Sequence, residues 1–174
     1  MTKQYLTFKL EETQYAVEVF NVQEVLEYTK ITKAPSAEPW IEGLITSRGK
    51  GISVVNLHKK FGLDEYTADR ETRIIVMEMN ETENTDDITV FGVIADSVQE
   101  VIEITEEELE PPPKFGNRIS ARYIYGVGKK NGNFITILNV PELFTAEELE
   151  TLTDADMISV EAEELSEKEE EAAE

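Results

Sequence analysis

The sequence predicts a mainly β protein made by internal duplication: two small barrel-like units of about five short strands each, brief helices, and one C-terminal helix. Two repeats carry that reading. Tyr15 to Tyr28 lies ungapped over Phe91 to Ile104, with identities at Val17/Val93, Val22/Val98, Gln23/Gln99, Glu24/Glu100, Val25/Val101 and Glu27/Glu103. "IEGLITSRGKGISVVNLHKKF" (41–61) lies ungapped over "IYGVGKKNGNFITILNVPELF" (124–144), matching at Ile41/Ile124, Gly43/Gly126, Gly49/Gly132, Ile52/Ile135, Asn56/Asn139 and Phe61/Phe144. Two blocks recurring in the same order mark a duplicated chain.

Each half can then be read against the other. "QYLTFKL" and "RIIVMEM" are β-branched and aromatic runs that suit strands, and "QYAVEV" and "TVFGVIA" complete a hairpin in each half. Asn21 with Glu24, and Ser97 with Glu100, have capping-box spacing, which predicts a short helical turn at each place. "VLEYTKI" and "VIEI" read as extended after it. Val22, Val25, Val98 and Val101 are core candidates. In the second block Asn131-Gly132 is a strong two-residue hairpin signal, and Gly49 and Gly51 around Lys50 permit a turn at the matching place. Asn56 and Asn139 are candidate N-caps of short helices ending at Phe61 and Phe144, with Pro141 in a first turn. Thr145 and Glu148 form another capping-box pair, and Leu149, Leu152 and Ala155 give residues 145–158 one apolar stripe.

Composition narrows the chemistry. The 174 residues can bury a substantial core, and the absence of cysteine removes disulfides, thiolate catalysis and Cys-ligated zinc. No signal peptide is read at the start and no apolar run spans a bilayer, so a soluble cytoplasmic protein is expected. The net charge of −21 disfavours phosphate backbones as partners. Thirteen acidic residues lie from Thr145 onward against Lys168 alone, and residues 159–174 read as a solvated acidic tail that only adds solubility. His58 is the one histidine and is expected on the surface of a short helix. Gly43, Gly49 and Gly51 lack the ending of a phosphate loop, the acidic clusters lack EF-hand spacing, and Ser47 lacks a nucleophile elbow. Enzymatic activity is not expected, which leaves binding surfaces. Arg48 stands out, because its repeat partner is Asn131: an arginine at a hairpin tip in an acidic protein suits docking.

Three stretches, "YLTFKLEETQYAVEVFNVQEVLEYTKITKAP", "IEGLITSRGKGISVVNLHKKFG" and "FGVIADSVQEVIEITEEELEPPPKF", resemble the CheW family of chemotaxis coupling proteins over about residues 4–158. The resemblance implies two five-stranded, SH3/OB-like β-barrel subdomains with some strand exchange, within one domain over 1–158. Its half-repeats would be about 1–68 and 69–144. It implies a non-catalytic adaptor without cofactor or metal that joins the cytoplasmic tips of methyl-accepting chemoreceptors to the regulatory domain of the histidine kinase CheA, in arrays at the inner membrane. Carried over by position, the receptor groove would involve Val19, Val22, Glu24, Val25, Gly43, Arg48 and Val98. The chain departs from the family pattern at Thr46-Ser47 before Arg48, at Gly51 and Ser53, and at Asn56-Leu57-His58, where the family has Asp-Leu-Arg. That last change is expected to remove an ion pair while keeping a helix cap. Alternatives are an adaptor of a parallel motility or gene-regulation pathway, a small β-barrel that binds oligonucleotides, and, weakest, an acidic-site hydrolase; neither nucleic acid binding nor membrane insertion is expected.

Overall fold

The computed structural model describes residues 2–33, 38–80, 88–112 and 119–152. The first half contributes β1 (Thr2–Leu10), β2 (Thr13–Glu18), β3 (Val22–Glu27), β4 (Ile41–Ser47) and β5 (Lys50–Val55). The second contributes β6 (Arg73–Asn80), β7 (Ile88–Ala95), β8 (Ser97–Thr105), β9 (Ile124–Lys130) and β10 (Asn133–Leu138). Helix α1 (Leu57–Phe61) follows β5, and helix α2 (146–152) follows β10.

The chain is mainly β, in two five-stranded, SH3-like sheets ordered β8-β1-β2-β10-β9 and β3-β6-β7-β5-β4. Each sheet takes the first two strands of one half and the last three of the other, so the exchange implied by the resemblance involves three strands from each half. The seams are parallel: β2 lies beside β10 (Ala16 opposite Ile137) and β5 beside β7 (Val54 opposite Gly92). Parallel neighbours cannot be joined by a tight hairpin, so both seams unite segments far apart in sequence.

Alternation along the strands divides the apolar residues among three cores. Tyr5, Ala16, Ile102, Ile104, Ile135 and Ile137 fill the inner face of the first sheet. Ile45, Ile52, Val54, Ile74, Val76 and Ile94 fill the second. The largest cluster, built around Phe8, Tyr15, Trp40, Ile75, Met77, Phe91, Leu138 and Leu143, lies between the sheets and draws on both halves. The two repeats therefore do not enclose entirely separate cores.

Local signals held where the neighbouring residues suffice to determine them. Asn131 and Gly132 have φ of 52° and 82°, the positive pair a two-residue hairpin turn needs. Arg48 and Gly49 repeat it at 52° and 78°, so the turn sits one residue earlier than the Gly-Lys-Gly pattern suggested. Asn56 caps α1 by accepting from the Lys59 amide at 3.1 Å, and Gly62 ends that helix in the left-handed region. Asn139 instead precedes a 3₁₀ turn (Val140–Glu142) and makes no side-chain cap bond. Thr145 and Glu148 form the reciprocal capping box of α2, at 2.9 and 3.1 Å. Leu152 is buried and Leu149 packs beside it; Ala155, the rest of 145–158 and the acidic tail lie outside the described residues.

The helical turns expected at Asn21–Glu24 and Ser97–Glu100 are strands. A 3₁₀ turn (Val19–Asn21) ends where β3 begins, and the Asn21 side chain donates to the Glu78 carbonyl at 3.0 Å. Ser97 and Val98 pair with Lys9 and Phe8 in β8, and at the bulge that follows the Thr7 hydroxyl donates to the Glu100 carbonyl (2.7 Å) and accepts from its amide (3.0 Å). Pairing with β1 or β6, interrupted only by one bulge in each strand, satisfies these backbones better than one helical turn could, and β-branched valines suit it.

Candidate functional site

The candidate site starts from two edge strands, β3 and β8, which carry the repeated Val-Gln-Glu-Val. Each has an irregular register at the repeat. In β3, Val22 lies opposite Met77, Val25 opposite Ile75 and Leu26 opposite Ile74, with a shift between Val22 and Glu24. The extra residue puts Val22 and Val25 on one face although they are three apart, since each bulge reverses the alternation. In β8, Val98 lies opposite Phe8 and Val101 opposite Leu6, so Gln99 and Glu100 together face Thr7 and β8 carries the extra residue. Phe8, Leu6, Met77 and Ile75 all belong to the core between the sheets. Both valine pairs therefore face the seam between the sheets.

The seam covers only one member of each pair. Val22 and Val98 pack against the central core, as does Val19 from the 3₁₀ turn. Val25 is 40% exposed and Val101 53%. The expectation that all four valines are core thus fails for the outer two: edge strands leave the end of each apolar strip without a covering neighbour. Val101 was not singled out for the groove, although its repeat equivalence to Val25 was a signal for it. Phe20, beside Val19, is 77% exposed and was also missed.

The charged candidates meet at one end of β3. The Ser47 hydroxyl donates to Glu24 Oε1 at 2.7 Å, and Arg48 Nε lies 3.8 Å from the same oxygen. These contacts join β3 to β4, the two outer strands of their sheet, so the sheet curls far enough for its edges to touch through side chains. In the other sheet Lys130 Nζ reaches the Glu103 carbonyl at 3.3 Å, again joining the outer strands. Among the described residues no backbone ladder closes either sheet into a complete barrel. Arg48 remains largely exposed and holds a φ that asparagine tolerates and arginine rarely adopts. A left-handed arginine stores roughly 1 kcal/mol or more of strain, which marks its site as a candidate for function.

Gly43 offers no side chain to a partner; its visible role is close packing. A Cβ there would lie 2.3 Å from the Thr32 carbonyl oxygen. Thr32 and Leu44 exchange two backbone hydrogen bonds, at 2.9 and 2.8 Å, across that approach. Glu110 and Val127 repeat the arrangement beside Gly126.

His58 is buried, at 1% exposure, which corrects the surface placement expected of it. Its Nδ1 is 2.7 Å from the Asp64 carbonyl, and its Nε2 is 3.0 and 3.1 Å from the Asp96 carboxylate oxygens. A polar link therefore exists at the position where the sequence suggested one was lost; its partner, 38 residues away, had no local signal. Burial alone would lower the histidine's pKa, but the Asp96 bond and charge outweigh it and raise it. Asp96 moves the opposite way: burial raises it, and bonds from His58 and the Glu11 amide bring it below the usual carboxylate range. Burial, followed by its bond to Tyr28, pushes the Tyr66 hydroxyl up. Among the described residues, no group of three or more His, Asp or Glu side chains is placed to hold a metal, and no helix is long and apolar enough to cross a membrane.

Residues 4–148 match the family described as a CheW-like domain. The chain belongs to the CheW-like family. The chemotaxis protein CheW of Treponema pallidum is 28% identical over 153 residues, covering 86% of both chains. That of Thermotoga maritima is 32% identical over 141 residues, covering 79% of this chain and 85% of its own. The crystal structure of the scaffolding protein TtCheW from Thermoanaerobacter tengcongensis superposes with a TM-score of 0.73 at 34% identity, covering 85% of this chain and 91% of that one. Members of the CheW family are non-catalytic scaffold and adaptor proteins of chemotaxis. The paired valine strips and the Arg48–Glu24 end are this CheW-like chain's candidates for an adaptor surface.

Proposed function

We propose that this chain couples chemoreceptor signalling tips to the regulatory domain of a CheA-type histidine kinase, in arrays at the inner membrane. The receptor's helical tip would lie along the valine strips, burying Val25 and Val101 over Val19, Val22 and Val98. Arg48 would engage a receptor carboxylate, with Glu24 and Gly43 holding its surroundings in place. The observation that carries this reading is the pair of repeat-equivalent valines left exposed beside the central core, since a soluble surface gains by covering such strips. The left-handed Arg48 at their charged end supports it.

The test is calorimetric titration of a receptor cytoplasmic fragment and, separately, of the kinase regulatory domain. Arg48→Asn should bind the receptor fragment at least about tenfold more weakly, as loss of a well-desolvated arginine commonly does. It should also be slightly more stable, by about 0.5–1 kcal/mol, because asparagine suits the turn and an exposed ion pair at 3.8 Å contributes little. Unchanged receptor affinity in both Arg48→Asn and Val25→Asp would refute the groove assignment.

A further inference from the structure

His58 lies at a junction. The chain passes from β7 in one sheet to β8 in the other through a single residue, Asp96. Three elements meet on it. The Glu11 amide, from the β1–β2 turn, donates to Asp96 Oδ2 at 2.6 Å; the Asp96 amide donates to the Lys9 carbonyl at 2.9 Å; and His58 approaches from α1. The Asp64 amide, just beyond α1, donates to Glu11 Oε1 at 3.0 Å and completes the ring of contacts.

Both ring nitrogens of His58 face acceptors. A carbonyl has no proton to give, and a carboxylate near neutral pH has none either. Neutral imidazole carries one N–H, so either tautomer would turn a lone pair toward an oxygen; only imidazolium satisfies both contacts. The surrounding groups favour it. Asp96 and Glu11 supply negative charge, and Tyr66, whose ring centre lies 5.7 Å away, stays neutral. Asp64 presents its carbonyl while its residue is exposed, and behind Tyr66 stands Glu42, 3.4 Å from its hydroxyl. The next two cations on α1 are directed elsewhere, Lys59 toward Glu42 and Lys60 to Glu148.

We propose that His58 and Asp96 form a proton-held clip that fixes the crossover from β7 to β8, so that the start of β8, with Val98, is ordered while His58 is charged and loosens when it is not. The regulatory consequence rests on the function proposed above: the partner strip on β8 would be pH-sensitive. Asp96, which is already ionised, cannot supply the switch near neutrality. A histidine whose folded pKa is raised contributes its full stabilisation below the ordinary value of 6.5 and loses it as pH rises through the higher folded value.

The full chain has one histidine, so its imidazole signals can be followed by NMR without overlap, over about pH 5–9. The expected result is a midpoint above 6.5, both nitrogens protonated on its acid side, and backbone amides of Ser97 and Val98 shifting with the same midpoint. Asp96→Asn should move the histidine midpoint down and uncouple those amides. A midpoint at or below 6.5, a neutral tautomer at pH 6, or amides that ignore the histidine would each overturn the clip; because wild type alone gives these readouts, a misfolded variant would not leave it untested. Titration with the receptor fragment separates the two readings. Affinity falling roughly fivefold or more as pH rises through the midpoint supports regulation of the strip, and flat affinity overturns it. Shared titration with no binding at any pH would retain the clip and refute the receptor assignment.

Discussion

Replacing Gly43 with alanine should destabilise the protein by about 3 kcal/mol, and the figure follows from the packing around one atom. The new Cβ would sit 2.3 Å from the Thr32 oxygen, 2.8 Å from Ile31 Cγ2 and 2.9 Å from the Thr32 carbonyl carbon. Two of those atoms are backbone, so no rotamer change can relieve the clash. Thr32 must withdraw, and its two hydrogen bonds to Leu44 stretch or break. At about 0.5–1.5 kcal/mol each, they account for roughly 1–3 kcal/mol. A φ of +157°, which L side chains rarely adopt, adds roughly another 1 kcal/mol or more. Gly126→Ala is the internal control: its nearest atom, the Glu110 oxygen, lies 3.2 Å away, so about 1 kcal/mol is expected. The assay is urea unfolding followed by tryptophan fluorescence, which Trp40, the only tryptophan, reports from within the core. An unchanged midpoint and slope for Gly43→Ala would refute the packing argument. Lost receptor binding at full stability would make Gly43 a direct contact.

Lys60 enters the core as a cation, with Nζ 4.4 Å from the Trp40 ring centre, 5.1 Å from that of Phe144 and 2.5 Å from the Glu148 carboxylate. Glu148→Gln should cost about 2–3 kcal/mol by leaving that charge unpaired, and Lys60→Met with Glu148→Leu should recover most of it; equal loss in both would refute the account. Burial raises the pKa of Glu148, but bonds from Lys60 and Thr145 lower it further, so its contribution is present above the ordinary carboxylate value of 4.5 and is lost as pH falls through the depressed one. A thermal melt series into acid should show that loss in wild type and less of it in Glu148→Gln. Residues 1–68 expressed alone should give no cooperative unfolding transition, because β1 and β2 are separated from β3, β4 and β5 in the fold; a cooperative melt would show that a half can pair with itself.

Whatever depends on a few neighbouring residues was legible in the sequence. The Asn131-Gly132 turn, the Asn56 cap and the Thr145–Glu148 box were all local, because each is a backbone geometry or a hydrogen bond closed within four residues. The duplication was legible too, and with it the hairpins that recur in each half. Tertiary structure decided how the halves combine. Equivalent strands carry near-equivalent edges, so nothing local distinguishes β3 pairing with β6 from β3 pairing within its own half. It also decided which repeated valines are covered, since bulges and edge positions separate Val25 and Val101 from Val22 and Val98. Glu24 met Ser47 and Arg48 because the sheet curls, not because of spacing. His58, written between Leu57 and Lys59, looked like a surface residue. The groups that raise its pKa, Asp96 and Glu11, are brought to it by chain folding from a crossover and a turn far away in sequence.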